Sequence, residues 1–198
     1  KEFFLTGGTA LAEYHLEHRY SEDLDLFTIS EEAFRSIDSR MNELTQLLNL
    51  TVQSHRRIGD FSGYIFQDKV SLERLKVDLV RDINVQFGTK KKLGAVIIDD
   101  MENIAANKIG AILGRTEVKD FVDLYFLLQG NHITLEEAIR KGKEKDLGVE
   151  KFILAGLFRQ ADNFKVLPRM IKPMTLEILS RFYEDLSNQL LDQIKPPQ

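Results

Sequence analysis

The chain has 198 residues and a mass of 22.8 kDa, enough material to bury a core without disulfide staples. Hydrophobic residues make up 43% and charged residues 29%, with 12 Gly, 4 Pro and no Cys, which excludes disorder, collagen-like repeats, disulfide frameworks, thiol nucleophiles and zinc–thiolate sites and leads us to expect a cytoplasmic protein. The longest strongly apolar run, 152–158, falls far short of the roughly 20 residues that span a bilayer, and a net charge of −4 with a pI near 5.7 leaves nucleic-acid contact, if any, to a local basic patch.

The first half alternates elements. Phe3 to Thr6 reads as a buried strand running into a Gly7-Gly8 break, and Thr9 to Arg19 as a helix capped by Thr9. Because Lys1 leads straight into that strand, an upstream element is expected to precede this sequence; no signal peptide is visible in it. Asp23 to Ile29 alternates as a strand, and 31–48 carries helical spacing in Phe34, Ile37, Met41, Leu44 and Leu48 behind a Ser30 cap. Three runs rich in β-branched and aromatic residues follow, 50–55, 61–67 and 72–80.

From Asp100 onward the periodicity is helical, with segments near 101–113, 117–129, 134–145, 149–163 and 174–192. The last has an apolar stripe of Leu176, Leu179, Tyr183, Leu186 and Leu190. The basic loop 89–92 and the apolar segment 95–98 read as the divider. The predicted architecture is α+β: a small mixed sheet domain with flanking helices over 1–99, then a helical domain over 100–198.

The chemistry concentrates in Ser21-Glu22-Asp23-Leu24-Asp25-Leu26-Phe27. Strand alternation puts Asp23 and Asp25 on one face and Leu24 and Leu26 on the other. An exposed face at a sheet edge is one use of that pattern. Compensation of both charges by a divalent cation such as magnesium is another. Asp78, in Leu75-Lys76-Val77-Asp78-Leu79, has the same framing, so pairing of the two strands would converge three carboxylates on one or two metal ions, with Asp78 placed to help activate a hydroxyl. Asp82, Asp99 and Asp100 lack this framing and read as turn and helix-start residues. The Gly7-Gly8-Thr9 turn, between strand and helix, supplies exposed N–H groups suited to phosphate.

Other features carry less. His15 and His18 read as surface histidines. Phe61, Tyr64 and Phe66 read as core aromatics, although base stacking is a second use. On the helix after residue 117, Phe121, Leu124, Tyr125 and Leu128 form the apolar stripe, which predicts Asp120 and Asp123 away from it. Arg56-Arg57 and Lys90-Lys91-Lys92 are the dense basic clusters: solvated loops in the ordinary case, and the first RNA contacts to consider if RNA is bound.

Taken together, Leu5-Thr6-Gly7-Gly8-Thr9-Ala10-Leu11-Ala12 and Arg19-x-Ser21-x-Asp23-Leu24-Asp25-Leu26-Phe27 resemble the AbiEii/AbiGii toxin family of nucleotidyltransferases, within the DNA polymerase β-like superfamily. Asp78 matches the family's later third Asp, Asn107-Lys108-Ile109-Gly110-Ala111-Ile112-Leu113-Gly114-Arg115 its helical Lys motif, and Lys119-Asp120-Phe121-Val122-Asp123 its Lys-Asp-x-x-Asp motif. The resemblance implies a magnesium-dependent transfer of a nucleoside monophosphate from a nucleoside triphosphate to an acceptor hydroxyl, for which the tRNA 3′ end is the family's associated acceptor. It implies metal ligation by Asp23, Asp25 and Asp78, nucleotide binding by Gly7, Gly8, Thr9, Ser21, Lys108 and Arg115, and catalytic roles for the three aspartates, Lys108 and Asp120. The helical domain would complete the nucleotide site. It further implies the toxin of a bacterial toxin–antitoxin or phage-defence pair, with a separately encoded antitoxin and no membrane partner. A protein or small-molecule acceptor, and a non-catalytic binding module on the same fold, are the alternatives.

Overall fold

The computed structural model describes residues 2–194. They form a mixed α/β chain of two compact units, one made of residues 2–10, 21–84 and 89–99, the other of 11–20, 85–88 and 100 onward.

The first unit is built on a seven-stranded sheet of order β3-β4-β5-β2-β1-β7-β6. The strands are β1 (Phe4–Thr6), β2 (Asp23–Thr28), β3 (Leu50–Ile58), β4 (Phe61–Asp68), β5 (Arg74–Arg81), β6 (Lys91–Leu93) and β7 (Val96–Ile98). Helix α1 (Gly7–Ala10) follows β1 directly, and α2 (Glu31–Arg35) and α3 (Ile37–Leu47) follow β2. Alternation sends Leu24 and Leu26 of β2, Tyr64 and Phe66 of β4 and Val77 and Leu79 of β5 to one face, where they bury Phe34, Ile37 and Met41 of the two helices. The other face of the same strands carries Asp23, Asp25, Lys76 and Asp78 together with the apolar Phe27, Phe61, Ile65 and Val80.

Two expectations change here. The helix predicted over 31–48 is divided at Ser36, whose hydroxyl donates to the Ala33 carbonyl at 3.0 Å; a side chain that competes for a backbone acceptor ends the first helix and starts the second. The segment 89–98 is no divider but the β6–β7 edge of the sheet. Ile98 of β7 pairs with Leu5 of β1 in parallel, and β6 pairs with β7 antiparallel.

The second unit consists of α4 (Met101–Gly114), α5 (Val118–Gln129), α6 (Leu135–Lys145), α7 (Lys151–Phe158), a 3-10 turn (Arg159–Asn163), α8 (Leu176–Ile194) and a π-helix, Leu11–Leu16. Asp100 caps α4 through the Glu102 N–H, and Thr134 forms a capping box with Glu137 at α6. On α8 the predicted stripe is buried at Leu179, Tyr183 and Leu190 and half-buried at Leu176 and Leu186, and the Tyr183 hydroxyl donates to the Phe121 carbonyl at 2.7 Å. Residues 11–20, expected with the sheet, belong to this helical unit. The Tyr20 N–H donates to the Arg169 carbonyl, Arg19 bridges Met170, and His18 and Arg19 bond Asp123. Among the described residues no helix is long and apolar enough to cross a membrane.

Candidate active site

The outer face of the sheet holds the three aspartates. In the parallel pair β2–β5, Asp25 is the Cα partner of Asp78 and Asp23 that of Lys76, and Thr6 stands opposite Asp25 across the antiparallel β1–β2 pair. The pairing that strand alternation required for convergence is therefore present. Lys76, which local sequence marked only as a polar-face residue, lies among the carboxylates: its ammonium donates to Asp78 Oδ2 at 2.6 Å and stands 3.6 Å from Asp23 Oδ2. Partial burial disfavours the charge on Lys76, but the hydrogen bond and charge of Asp78, with Asp23 and Asp25, outweigh it and hold the ammonium above its ordinary range.

Backbone permissiveness makes room for this cluster. Gly7 has φ +66°, and a Cβ there would stand 2.9 Å from the Asp25 carboxyl carbon and overlap its Oδ2. The helix begins at Gly7 rather than at Thr9. Thr9 lies within α1, and its hydroxyl, instead of capping, hydrogen-bonds Ser21 Oγ at 2.8 Å and the Asp23 carbonyl. These bonds tie the glycine turn to the start of the carboxylate strand.

Among the described residues no three acidic or histidine side chains form a ready metal cluster. The donor set nonetheless fits a hard divalent cation. It is all carboxylate oxygen, an ammonium already compensates two of its members, and Asp78 Oδ1 is buried with no hydrogen-bond partner among the described residues. Asp99, expected as a turn residue, is instead 1% exposed, accepts from Thr6 Oγ1 at 2.7 Å and lies 3.7 Å from the Lys90 ammonium. Lys90 also sits 4.2 Å from the centroid of the Phe4 ring, so one member of the basic run is held inward rather than solvated.

The helical unit has its own polar centre. The Lys108 ammonium lies 2.7 Å from Asp120 Oδ1 and 2.6 Å from Asp123 Oδ2. Arg115, extended at the C-cap of α4, donates from Nε to Asp120 Oδ2 at 3.0 Å. Arg19 grips Asp123 with two hydrogen bonds of 2.6 and 2.8 Å, and His18 Nε2 lies 2.7 Å from the same carboxylate.

Asp120 and Asp123 are fully buried, at 0% exposure, which corrects the expectation that they lie away from the buried stripe. An apolar stripe counts only apolar neighbours, whereas these carboxylates are buried against cations drawn from two other segments. Burial alone would raise both acids. For Asp123 the charges and hydrogen bonds of Lys108, Arg19 and His18 outweigh it, for Asp120 those of Lys108 and Arg115, and both are held below the usual carboxylate range. Lys108 is correspondingly held above the usual lysine range: desolvation opposes its charge, and Asp123 and Asp120 outweigh that opposition. His18, expected at the surface, is likewise buried. Arg19 and Asp123 are the members of this centre to which the sequence assigned no role, although each stands in a quoted motif, Arg19 in Arg19-x-Ser21 and Asp123 at the end of Lys119-Asp120-x-x-Asp123.

A family model described as the nucleotidyl transferase AbiEii toxin of type IV toxin–antitoxin systems matches residues 1–189. The chain belongs to the AbiEii family. The uncharacterized protein aq_aa25 of Aquifex aeolicus (strain VF5) is 30% identical over 155 residues, covering 77% of this chain and 70% of that protein. Among solved structures, a candidate nucleotidyltransferase from Helicobacter pylori has a TM-score of 0.62 at 18% identity, with 100% of this chain and 91% of that one covered. JHP933 from the same organism has a TM-score of 0.58 at 18% identity, over 98% and 85% of the two chains. These two structures share the fold, and the family match makes this AbiEii chain a nucleotidyltransferase of the type IV toxin–antitoxin class.

Proposed function

We propose that this protein transfers a nucleoside monophosphate from a nucleoside triphosphate to an acceptor hydroxyl, using magnesium. The observation that carries the reading is the alignment of Asp25 with Asp78 across β2–β5, with Asp23 on the same face and the Gly7 turn against Asp25. Asp23, Asp25 and Asp78 would hold the metal, whose role when bound is to neutralise charge on the triphosphate and the transferred phosphorus.

The chain's own groups supply the rest. Backbone N–H groups at Gly7 and Gly8 receive phosphate oxygens, and the Thr9–Ser21 bond keeps that turn against β2. The acceptor oxygen attacks the α-phosphorus and the bond to the β-phosphate breaks. Pyrophosphate leaves, and the hydroxyl proton passes to the Asp78 carboxylate. Lys108, Arg115 and Asp120 are the family's further site residues, and within the helical unit they converge on one another.

The tRNA 3′ end is the acceptor to test first. The toxin reading carries a separately encoded antitoxin and a role in phage defence with it, and a Cys-free chain consuming nucleoside triphosphates fits the cytoplasm. The test supplies labelled ATP, GTP, CTP and UTP in turn with magnesium and total bacterial tRNA, and compares the protein with its Asp23→Ala, Asp25→Ala double variant. Label on RNA that disappears in the double variant is the expected result, and label on protein would move the acceptor class. Absence of variant-sensitive label, together with absence of magnesium-dependent nucleotide binding by calorimetry, would leave a binding module in place of an enzyme.

A further inference from the structure

The carboxylate face continues beyond Asp78. Across the strands the register runs Thr6, Asp25, Asp78, Gly63, Arg56, so that Arg56 of the edge strand β3 lies two strand spacings, about 10 Å, from Asp78 on the same side of the sheet. Residues that pair across strands share a face, and alternation separates the two arginines that stand together in sequence. Arg57 turns to the helix-covered side, where it donates to Asp38 Oδ2 at 2.6 Å and lies 5.0 Å from the Phe34 ring centroid. Arg56 is exposed on the carboxylate side and makes no ion pair among the described residues.

The three aromatics of β4 divide in the same way. Tyr64 and Phe66 are core, 4% exposed each, whereas Phe61 has the parity of Gly63 and is half-buried on the outer face. Its ring lies over Gly63: a Cβ at that glycine would stand 2.8 Å from Phe61 Cζ and 3.1 Å from Asp78 Oδ1. The edge of the ring and Oδ1 of Asp78 therefore flank one glycine. Among the described residues the ring packs on no other ring. Its cross-strand neighbours on this side, Val80 and the 56% exposed Ile58, make an apolar ledge beside the row of charges.

Resting on the function proposed above, we infer that Phe61 and Arg56 form the platform for the acceptor, and that the acceptor is a strand end presenting a base and a phosphate beside its hydroxyl. The direction follows from the chemistry of displacement. In-line transfer puts the entering and leaving oxygens on opposite sides of phosphorus. With the triphosphate tail at the Gly7 turn, on the β1 side of Asp25, the entering hydroxyl comes from the Asp78 side. The next groups on that side are an aromatic ring, suited to stack a terminal base, and an exposed arginine that makes no ion pair among the described residues, suited to the preceding phosphodiester. Phe61 and Arg56 are positioning residues here, since neither touches the transferred phosphorus.

The test uses the full chain, its Arg56→Gln and Phe61→Leu variants, and two probes: a fluorescein-labelled single-stranded oligoribonucleotide with a free 3′ hydroxyl, followed by anisotropy over a KCl series, and a nucleoside triphosphate with magnesium, followed by calorimetry. Arg56→Gln is expected to weaken oligonucleotide binding and to reduce the slope of log K against log salt by about 0.7, one phosphate contact on a single strand. Phe61→Leu is expected to weaken it about tenfold with the slope unchanged. Both variants should keep wild-type nucleotide affinity and wild-type thermal melts, and in transfer assays should raise KM for the oligonucleotide more than they lower kcat. Oligonucleotide binding indifferent to both substitutions would overturn the platform, as would a loss confined to the nucleoside triphosphate. A wild-type protein that binds nucleotide with magnesium but holds no oligonucleotide overturns the platform alone. A wild-type protein that binds no nucleotide overturns the underlying function.

Discussion

Asp25 and Asp78 face one another as Cα partners of the parallel strands β2 and β5, and the cation between the carboxylates of this face is the protein's own Lys76. Two carboxylates side by side repel, and a positive charge among them offsets that repulsion.

Replacing that charge should make the face depend on metal. Lys76 is 43% exposed on its side chain, so its ion pairs are partly screened and are worth about 1 kcal/mol or less. Lys76→Met is expected to lower the melting temperature slightly without metal and to gain more degrees from added magnesium chloride than the wild type does. A thermal-shift titration of both proteins checks it, and equal gains would show that Lys76 and the metal do not share a position.

Gly7 and Gly59 offer a controlled comparison. Both have positive φ, +66° and +53°, but a Cβ at Gly59 meets nothing within 4 Å whereas one at Gly7 runs into Asp25. Gly59→Ala should cost only the left-handed backbone penalty, about 1–2 kcal/mol. Gly7→Ala should cost that and displace the Asp25 carboxylate, lowering magnesium-dependent nucleotide binding at least about tenfold, in proportion to about 1.4 kcal/mol or more. Chemical denaturation and calorimetry on the two variants separate the effects.

Asp123 anchors three partners, and its loss would strand them. Asp123→Asn leaves the buried Lys108 and Arg19 without their shared carboxylate and is expected to destabilise the protein by about 3–5 kcal/mol. Urea melts measure the cost. A loss under about 1 kcal/mol would mean that the centre opens to water.

The same centre sets the acid limit. Asp120 and Asp123 have folded values depressed below the ordinary 3.8, so the stability they contribute is fully present above that value and is lost as pH falls from there through their folded values. Lys108, raised above 10.5, contributes below that value and loses its contribution only as pH rises through its folded value. Stability from this centre should therefore be flat through neutral pH and fall steeply below about pH 4. In Asp123→Asn the acid limb should be shallower. Denaturation midpoints between pH 2.5 and 8 would show it.

Elements and faces were legible locally because periodicity is a property of neighbouring residues. The spacing of two puts Asp23 and Asp25 on one side of their strand and Leu24 and Leu26 on the other, whatever the strand pairs with. Helical spacing likewise located α4 to α8 within a few residues, and the apolar stripe of α8 is the one that is buried.

Pairing and charge compensation were decided by residues far apart in the chain. The sheet order brought Asp78 opposite Asp25, put Lys76 opposite Asp23, and turned 89–98 from a divider into an edge. Burial of Asp120 and Asp123 needed cations from α4 and from residue 19, since a carboxylate enters a core only when opposite charge arrives with it, and His18 is buried against Asp123 in turn. Sequence by itself determined which side chains share a face; only the tertiary structure decided which faces meet, because strand register and the solvation of a charge depend on partners that no local pattern contains.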